Sequence, residues 1–305
     1  MSAASAPAAA TEGGVGALVR ALLAHSGVRL GGAILLVIAV MAIAAPLIAP
    51  VDPAYLDPTV RNELPGAESE IFTDDGSEAT VTHWFGTDQL GRDVFSRVVY
   101  GARVSLIVGL TVAAIAVLVG LLVGLVAGYM RWLDGVVMRL MDGLMAIPPI
   151  LLALALVALW GAGLTTVILA VAIPEVPRVV RLVRSIVLSV REEPYVEAAV
   201  ALGTPTPLVM YRHILPNTIA PLIVQGTYVC ASAILVEAIL SFLGVGIPTD
   251  IPTWGNIMAE GRLLFRVYPH NIFFPGVFLA LTVLAVNMMG DGMRDTLDPK
   301  LQKRF

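Results

Sequence analysis

Apolar residues in this chain gather in long runs instead of recurring at amphipathic spacing. Leu30–Pro50 carries no charge at all. A stretch of about 20 mainly apolar residues is what a helix needs to cross the hydrocarbon of a bilayer. Five more runs follow, at Val104–Gly128, Val136–Trp160, Leu164–Arg184, Asn217–Phe242 and Phe273–Gly290. The third includes Asp142 and Pro148-Pro149, and prolines there should kink it. The fourth is the least apolar, interrupted by Pro174, Glu175, Pro177 and Arg178. The first run exceeds the 7–15 apolar residues of a signal peptide and follows a long tail, so it predicts an uncleaved helix. The expected fold is an all-α integral membrane protein of six transmembrane helices, spanning residues 30–290. An outer loop covers 51–103 and a cytoplasmic loop 185–216. Tails cover 1–29 and 291–305, with Met1–Gly16 read as a disordered leader.

Polar punctuation adds a second pattern. The stretch EAAVALGTPTPLVMYRHILP, Glu197–Pro216, lies between two apolar runs. Glu193-Pro194 predicts a short helix with proline at its first position. Gly203 stops it, because glycine takes the left-handed conformation that a helix C-terminus needs. Thr206-Pro207 starts a second short helix, expected to run to Leu215. The result is a helix–glycine–helix elbow too polar to enter lipid, and longer than an ordinary helix connection.

Composition agrees with a membrane class. Hydrophobic residues make up 57% and charged ones 14%, far below the near-quarter charge of soluble domains. A net charge of −4 offers no basic face for nucleic acid. The single cysteine, Cys230, excludes an internal disulfide and a cysteine metal cage. His25, His83, His213 and His270 fall in four different segments, so no metal site is expected. A phosphate-binding loop needs a lysine behind a glycine-rich turn. The only lysines are Lys300 and Lys303 in the C-terminal tail, so no catalytic residue is expected and any ATP chemistry belongs to a partner.

Orientation follows from the arginines and lysines. With the N-terminus in the cytoplasm, that side holds Arg20, Arg29, Arg131, Arg139, Arg178, Arg181, Arg184, Arg191, Arg212, Arg294, Lys300, Lys303 and Arg304. The outer side holds Arg61, Arg92, Arg97, Arg103, Arg262 and Arg266, with ten acids between Asp52 and Asp93. Both termini and the elbow are therefore expected in the cytoplasm.

The elbow resembles the EAA motif of membrane subunits in binding-protein-dependent ABC importers. RHILPN at Arg212–Asn217 is similar to the dipeptide, oligopeptide and nickel branch, where the wider family prefers an aliphatic residue in place of His213. Three further segments fit that branch: HWFGTDQLGRDVFSRVVYGARVSL from His83, SFLGVG with PTWG between Ser241 and Gly255, and MGDGMRDTLDPK from Met289. The resemblance covers roughly Arg29 to the C-terminus and implies an ABC importer type I permease fold in a bacterial inner membrane. It implies that Glu197, Ala198, Ala199, Gly203, His213, Leu215 and Pro216 form a coupling helix gripped by an ATPase. The implied partners are a second homologous permease, two ATPase subunits carrying ATP and magnesium, and an extracytoplasmic substrate-binding protein. The outer region that faces this protein would include Asp88, Arg92, Asp93 and Trp254.

Ionisable groups inside a span usually face a cavity or a partner. Cys230, Glu237 and Ser241 share a helical face, and Gln225 and Tyr228 lie nearer the cytoplasm. Gln225, Tyr228, Glu237 and Ser241 are candidates for lining a translocation path, or Glu237 is bonded to a neighbouring helix. Glu175 is spaced to pair with Arg178, and Asp142 to neutralise Arg139. Arg178, Arg181 and Arg184 are expected to snorkel to the lipid interface. A proton-coupled secondary transporter using Glu175 or Glu237, and a non-transporting scaffold, are the alternatives. The residues do not distinguish a dipeptide, a longer peptide, glutathione or a nickel chelate as cargo.

Overall fold

The computed structural model describes residues 15–72 and 78–297. The expected leader and Lys300, Lys303 and Arg304 lie largely or wholly outside them. The chain opens with α1 (Val15–Ala24), α2 (Ser26–Ile43) and the single turn α3 (Ala45–Ile48). His25 caps α2, its Nδ1 accepting the Gly27 N–H at 3.2 Å. The first apolar helix thus starts before Leu30 and breaks at Ala44.

Among the described residues, the β-structure lies between α3 and the next long helix. An antiparallel hairpin pairs β1 (Ala67–Phe72) with β2 (Glu78–His83), from Ala67↔His83 to Phe72↔Glu78. It leads into α4 (Val94–Tyr129), 36 residues long. At 1.5 Å per residue such a helix exceeds the roughly 30 Å of bilayer hydrocarbon. Its first turns therefore belong with the preceding loop, and Val94, Val98 and Val99 there are fully buried.

The expected third span is two helices, α5 (Arg131–Met145) and α6 (Pro149–Trp160), bent by 86° at Ala146–Pro148. Consecutive prolines remove two backbone donors and force the preceding residue out of the helical region. The result is a corner, where the sequence led us to expect a kink. By contrast α7 (Leu164–Val190) stays unbroken through Pro174 and Pro177. Beyond the elbow come α10 (Leu215–Phe242), α11 (Trp254–Gly261) and α12 (His270–Leu297).

Among the described residues, four helices are long and apolar enough to cross a membrane, or five if the α5–α6 pair is one span. The expected count of six is not reached on these criteria. Between residues 175 and 184, α7 carries Glu175, Arg178, Arg181 and Arg184.

Glycine decides how these helices meet. Gly120, Gly124 and Gly128 recur every fourth residue along α4. A Cβ on each would lie 2.5, 2.7 and 2.8 Å from the Cβ atoms of Val179, Val183 and Val187 on α7. Close approach through small residues at this spacing is how membrane helices gain packing without a hydrophobic driving force. Across the bundle, Gly31 of α2 abuts the Ala285 carbonyl of α12, and Gly109 of α4 receives Ile234 of α10. Elsewhere on α4, Leu110, Leu118 and Leu122 are all more than half exposed. Leucines spread along such a helix suit contact with lipid tails.

Candidate functional site

The elbow is built as two short helices held by a glycine turn. Pro194 occupies the first position of α8 (Pro194–Ala201), where its missing N–H costs nothing. Gly203 has φ +80°. Its N–H donates to the Val200 carbonyl at 2.9 Å, and Thr204 N–H to Ala199 at 3.1 Å, satisfying carbonyls that the helix end leaves free. The segment α9 (Thr206–Val209) then passes through a π-helical turn, Met210–Ile214, straight into α10. The second short helix does not end at Leu215, because Pro216 falls in the first turn of α10, where proline is tolerated.

Val196, Val209 and Ile214 are buried and anchor the elbow. Asn217 Nδ2 donates to the His213 carbonyl at 2.7 Å and to the Tyr195 hydroxyl at 3.3 Å, tying α8 to α10. Glu197, Ala198, Gly203 and Pro216 are exposed, Ala199, His213 and Leu215 half-buried. Leu202 is 88% and Tyr211 71% exposed. The elbow thus presents apolar and acidic groups on a rigid support.

Beside it, α7 is clamped to α5. Arg181 reaches Asp142 at 2.5 Å and Arg184 binds Asp134 through two nitrogens. Arg178 lies 3.2 Å from Glu175, which also accepts a hydrogen bond from Ser232 Oγ at 2.9 Å. The expected Arg139–Asp142 neutralisation is corrected, since Asp142 faces the neighbouring helix. The three arginines hold acidic partners instead of reaching for lipid alone.

The candidate path residues separate into two groups. Gln225 and Tyr228 line a cavity of about 660 Å³ between the adjoining ends of α7, α10 and α12, beside the elbow. Glu237 and Ser241 do not. Glu237 is fully buried, its Oε1 accepting the Ser241 hydroxyl at 2.8 Å. Gly255 of α11 packs against Ala238 and Ser241 of α10, which seals this carboxylate between the two helices. Within this chain Glu237 and Ser241 lie at a helix–helix contact.

Asp88, Arg92, Asp93 and Trp254, the residues expected to face the binding protein, are all at most 7% exposed in this chain. Arg92 Nε binds Asp88 Oδ2 at 2.7 Å, and its NH2 binds Glu260 Oε2 at 2.6 Å. Arg97 NH1 joins the same two carboxylates, at 2.7 Å each. The Trp254 indole N–H donates to the Val98 carbonyl at 3.0 Å. These residues fasten α11 to the N-terminal end of α4. Buried charges persist only when paired in this fashion, and Arg97 and Glu260, which complete the set, are not marked by sequence spacing.

The C-terminal MGDGMRD segment also acquires a physical reading. Gly290 leaves room for Thr227 of α10, and Gly292 for His25 and Val28 at α2. Between them Asp291 accepts the Tyr228 hydroxyl at 2.5 Å, while Asp295 lies 3.5 Å from His25 Nε2. The motif draws three helices together at one end of the bundle.

A multi-pass helical bundle with an exposed elbow and a cavity beside it is the architecture of a membrane transport subunit. The family described as the binding-protein-dependent transport system inner membrane component matches residues 116–303. The N-terminal transmembrane domain of oligopeptide transport permease C matches residues 17–65. The chain is 54% identical over 94% of its length, and 94% of the relative's, to a Sinorhizobium fredii protein named a probable peptide ABC transporter permease. It is 43% identical to a dipeptide transport system permease of Alkalihalophilus pseudofirmus, covering 86% of this chain and 82% of that one. It is 45% identical to a glutathione transport system permease of Escherichia coli, covering 73% and 74%. The chain belongs to this family of inner membrane components, as the permease subunit of an ABC importer. Such subunits are not themselves enzymes.

Proposed function

We propose that this permease moves peptides, or a small solute of similar chemistry, from an extracytoplasmic binding protein into the cytoplasm of a bacterium. It lies in the inner membrane with six spans over residues 30–290, α7 and the α5–α6 pair included, and with both termini in the cytoplasm. It forms half of a pore with a second, homologous permease. Two ATPase subunits carry the ATP and magnesium. Closure of the ATPases moves the elbow as a lever and turns the pore outward, and hydrolysis resets it. Alternation by rigid-body movement around a central path is a general transporter solution.

The observation that carries this reading is the elbow itself, with Glu197 and Leu202 exposed on a frame fixed by buried Val196, Val209 and Ile214. The names of the peptide, dipeptide and glutathione permeases support the cargo class. A proton-coupled mechanism is disfavoured because Glu175 is engaged by Arg178 and Ser232, and Glu237 is sealed by α11.

The test is to reconstitute the complex with Glu197→Arg, which reverses a charge on the elbow surface. The ATPase subunits and the second permease should still insert, while cargo-stimulated ATP hydrolysis and uptake both fall. Wild-type stimulation would remove the elbow as the coupling element, and uptake without ATP would favour the ion-coupled alternative.

A further inference from the structure

The cavity at the adjoining ends of α7, α10 and α12 has an uneven chemistry. Its wall is mostly apolar, with Leu182, Pro221, Val224 and Leu297 contributing. Asn217, Gln225 and Tyr228 add neutral hydrogen-bonding groups along a single helix, α10, at spacings of eight and three. Of all the lining residues, Arg294 is the one that carries a charge. Among the described residues its guanidinium has no ion-pair partner. It lies beside the Tyr228 hydroxyl, whose proton is committed to Asp291 at 2.5 Å. Asp291 is not part of the wall, so its charge stands behind Tyr228.

We infer that this cavity is a recognition site for the carboxylate of a cargo molecule on its way out of the pore, with Arg294 as the specificity-determining cation. The inference rests on the proposed peptide-type cargo. Guanidinium presents a planar fork of donors that matches a carboxylate. Gln225 supplies an amide suited to a peptide backbone, and Asn217 adds an amide oxygen because its Nδ2 is already given to His213 and Tyr195. The apolar wall tolerates varied side chains, as small-molecule sites generally do. A volume of about 660 Å³ accommodates a molecule of a few residues. The glycine-spaced MGDGMRD segment explains how the arginine is aimed. With Gly290 against Thr227 and Gly292 against Val28, α12 is fixed in rotation, and Arg294 falls on the face turned to α10.

The test uses the complete importer in proteoliposomes, with a tryptic digest of casein as cargo and mass spectrometry of the imported peptides. Arg294→Gln should retain the partner subunits and binding-protein-stimulated ATP hydrolysis, yet lower peptide uptake by roughly tenfold, the effect of losing one charge-assisted contact. Arg294→Lys should recover much of the uptake. Arg294→Cys offers a second route, because the native Cys230 is buried. Modification with a positively charged aminoethyl methanethiosulfonate should restore uptake, and the sulfonatoethyl reagent should not. The digest should also slow that labelling by about threefold or more, as a bound ligand protects its site. Full uptake by Arg294→Gln, or equal rescue by both reagents, would overturn the assignment. Protection by phosphatidylglycerol and not by peptides would transfer the site to a lipid headgroup and overturn it as well. Import of no peptide by the wild-type complex would instead bring down the cargo class on which it rests.

Discussion

His83 Nδ1 lies 2.9 Å from Asp93 Oδ1, which ties the last residue of the β-hairpin to the cap of α4. The other ring nitrogen of His83 is 2.8 Å from Ser69 Oγ on the paired strand. The three side chains stand in the order of a hydrolytic triad, but Ser69 is buried and is not part of the wall of the cavity beside the elbow. Asp93 also accepts the Ser96 N–H at 2.6 Å. One carboxylate thus caps α4 and anchors the hairpin. Asp93→Ala should destabilise the protein by about 1–3 kcal/mol through loss of the cap and of His83's partner. Thermal unfolding in detergent measures this, and faster proteolysis within the hairpin should accompany it. Ser69→Ala should cost distinctly less.

The ionic knot at the N-terminal end of α4 gives a larger effect. Asp88 accepts from both Arg92 and Arg97, and all three are buried. Removing one member of such a set leaves uncompensated charge, typically worth about 3–5 kcal/mol. Asp88→Ala should therefore yield little folded protein, and what remains should unfold at much lower temperature. A stable variant with an unaltered melting profile would contradict the knot.

Gly124 is a position where size alone decides. A Cβ there meets Val183 and the Val180 carbonyl at 2.7 and 2.9 Å. Gly124→Leu must separate α4 from α7, at a cost of about 1–3 kcal/mol or more. Size-exclusion chromatography should show loss of the assembled complex, whereas Gly143→Leu, with open space around its Cβ, should assemble normally.

For Gly203 the argument is conformational. Nothing lies within 4 Å of a Cβ built there, yet φ is +80°. Gly203→Val should cost about 1–2 kcal/mol in backbone strain and change the angle between α8 and α9. Cargo-stimulated ATP hydrolysis should fall while membrane insertion is unchanged.

Glu237 separates path from packing. Its Oε2 is buried without a hydrogen-bond partner and its Oε1 holds Ser241. Glu237→Gln keeps the shape of the side chain and an oxygen to accept the Ser241 hydroxyl in this sealed place, so uptake should stay near wild type and stability should change little. Glu237→Ala should lose about 1–3 kcal/mol by stranding the Ser241 hydroxyl and leaving a void. A loss of uptake in the glutamine variant, with stability intact, would return Glu237 to the path.

The membrane class and the elbow were legible in the sequence, because uninterrupted apolar length and proline–glycine punctuation are local properties. Gly203 is an example: its backbone requirement follows from its neighbours alone. The pairings were not legible. Asp142 chooses Arg181 over Arg139, and Asp88, Arg92 and Trp254 turn inward, because a polar side chain's partner is set by which helix lies opposite. The Pro148-Pro149 corner was seen as a kink, since hydropathy registers length but not direction. Gly120, Gly124 and Gly128 gave a visible four-residue rhythm, yet only the fold names Val179, Val183 and Val187 as the surface they meet. The sequence by itself determined which segments are apolar and where the chain turns. The tertiary structure decided which buried charges neutralise one another and which polar groups are left to line a cavity, because both depend on contacts between residues far apart in the chain.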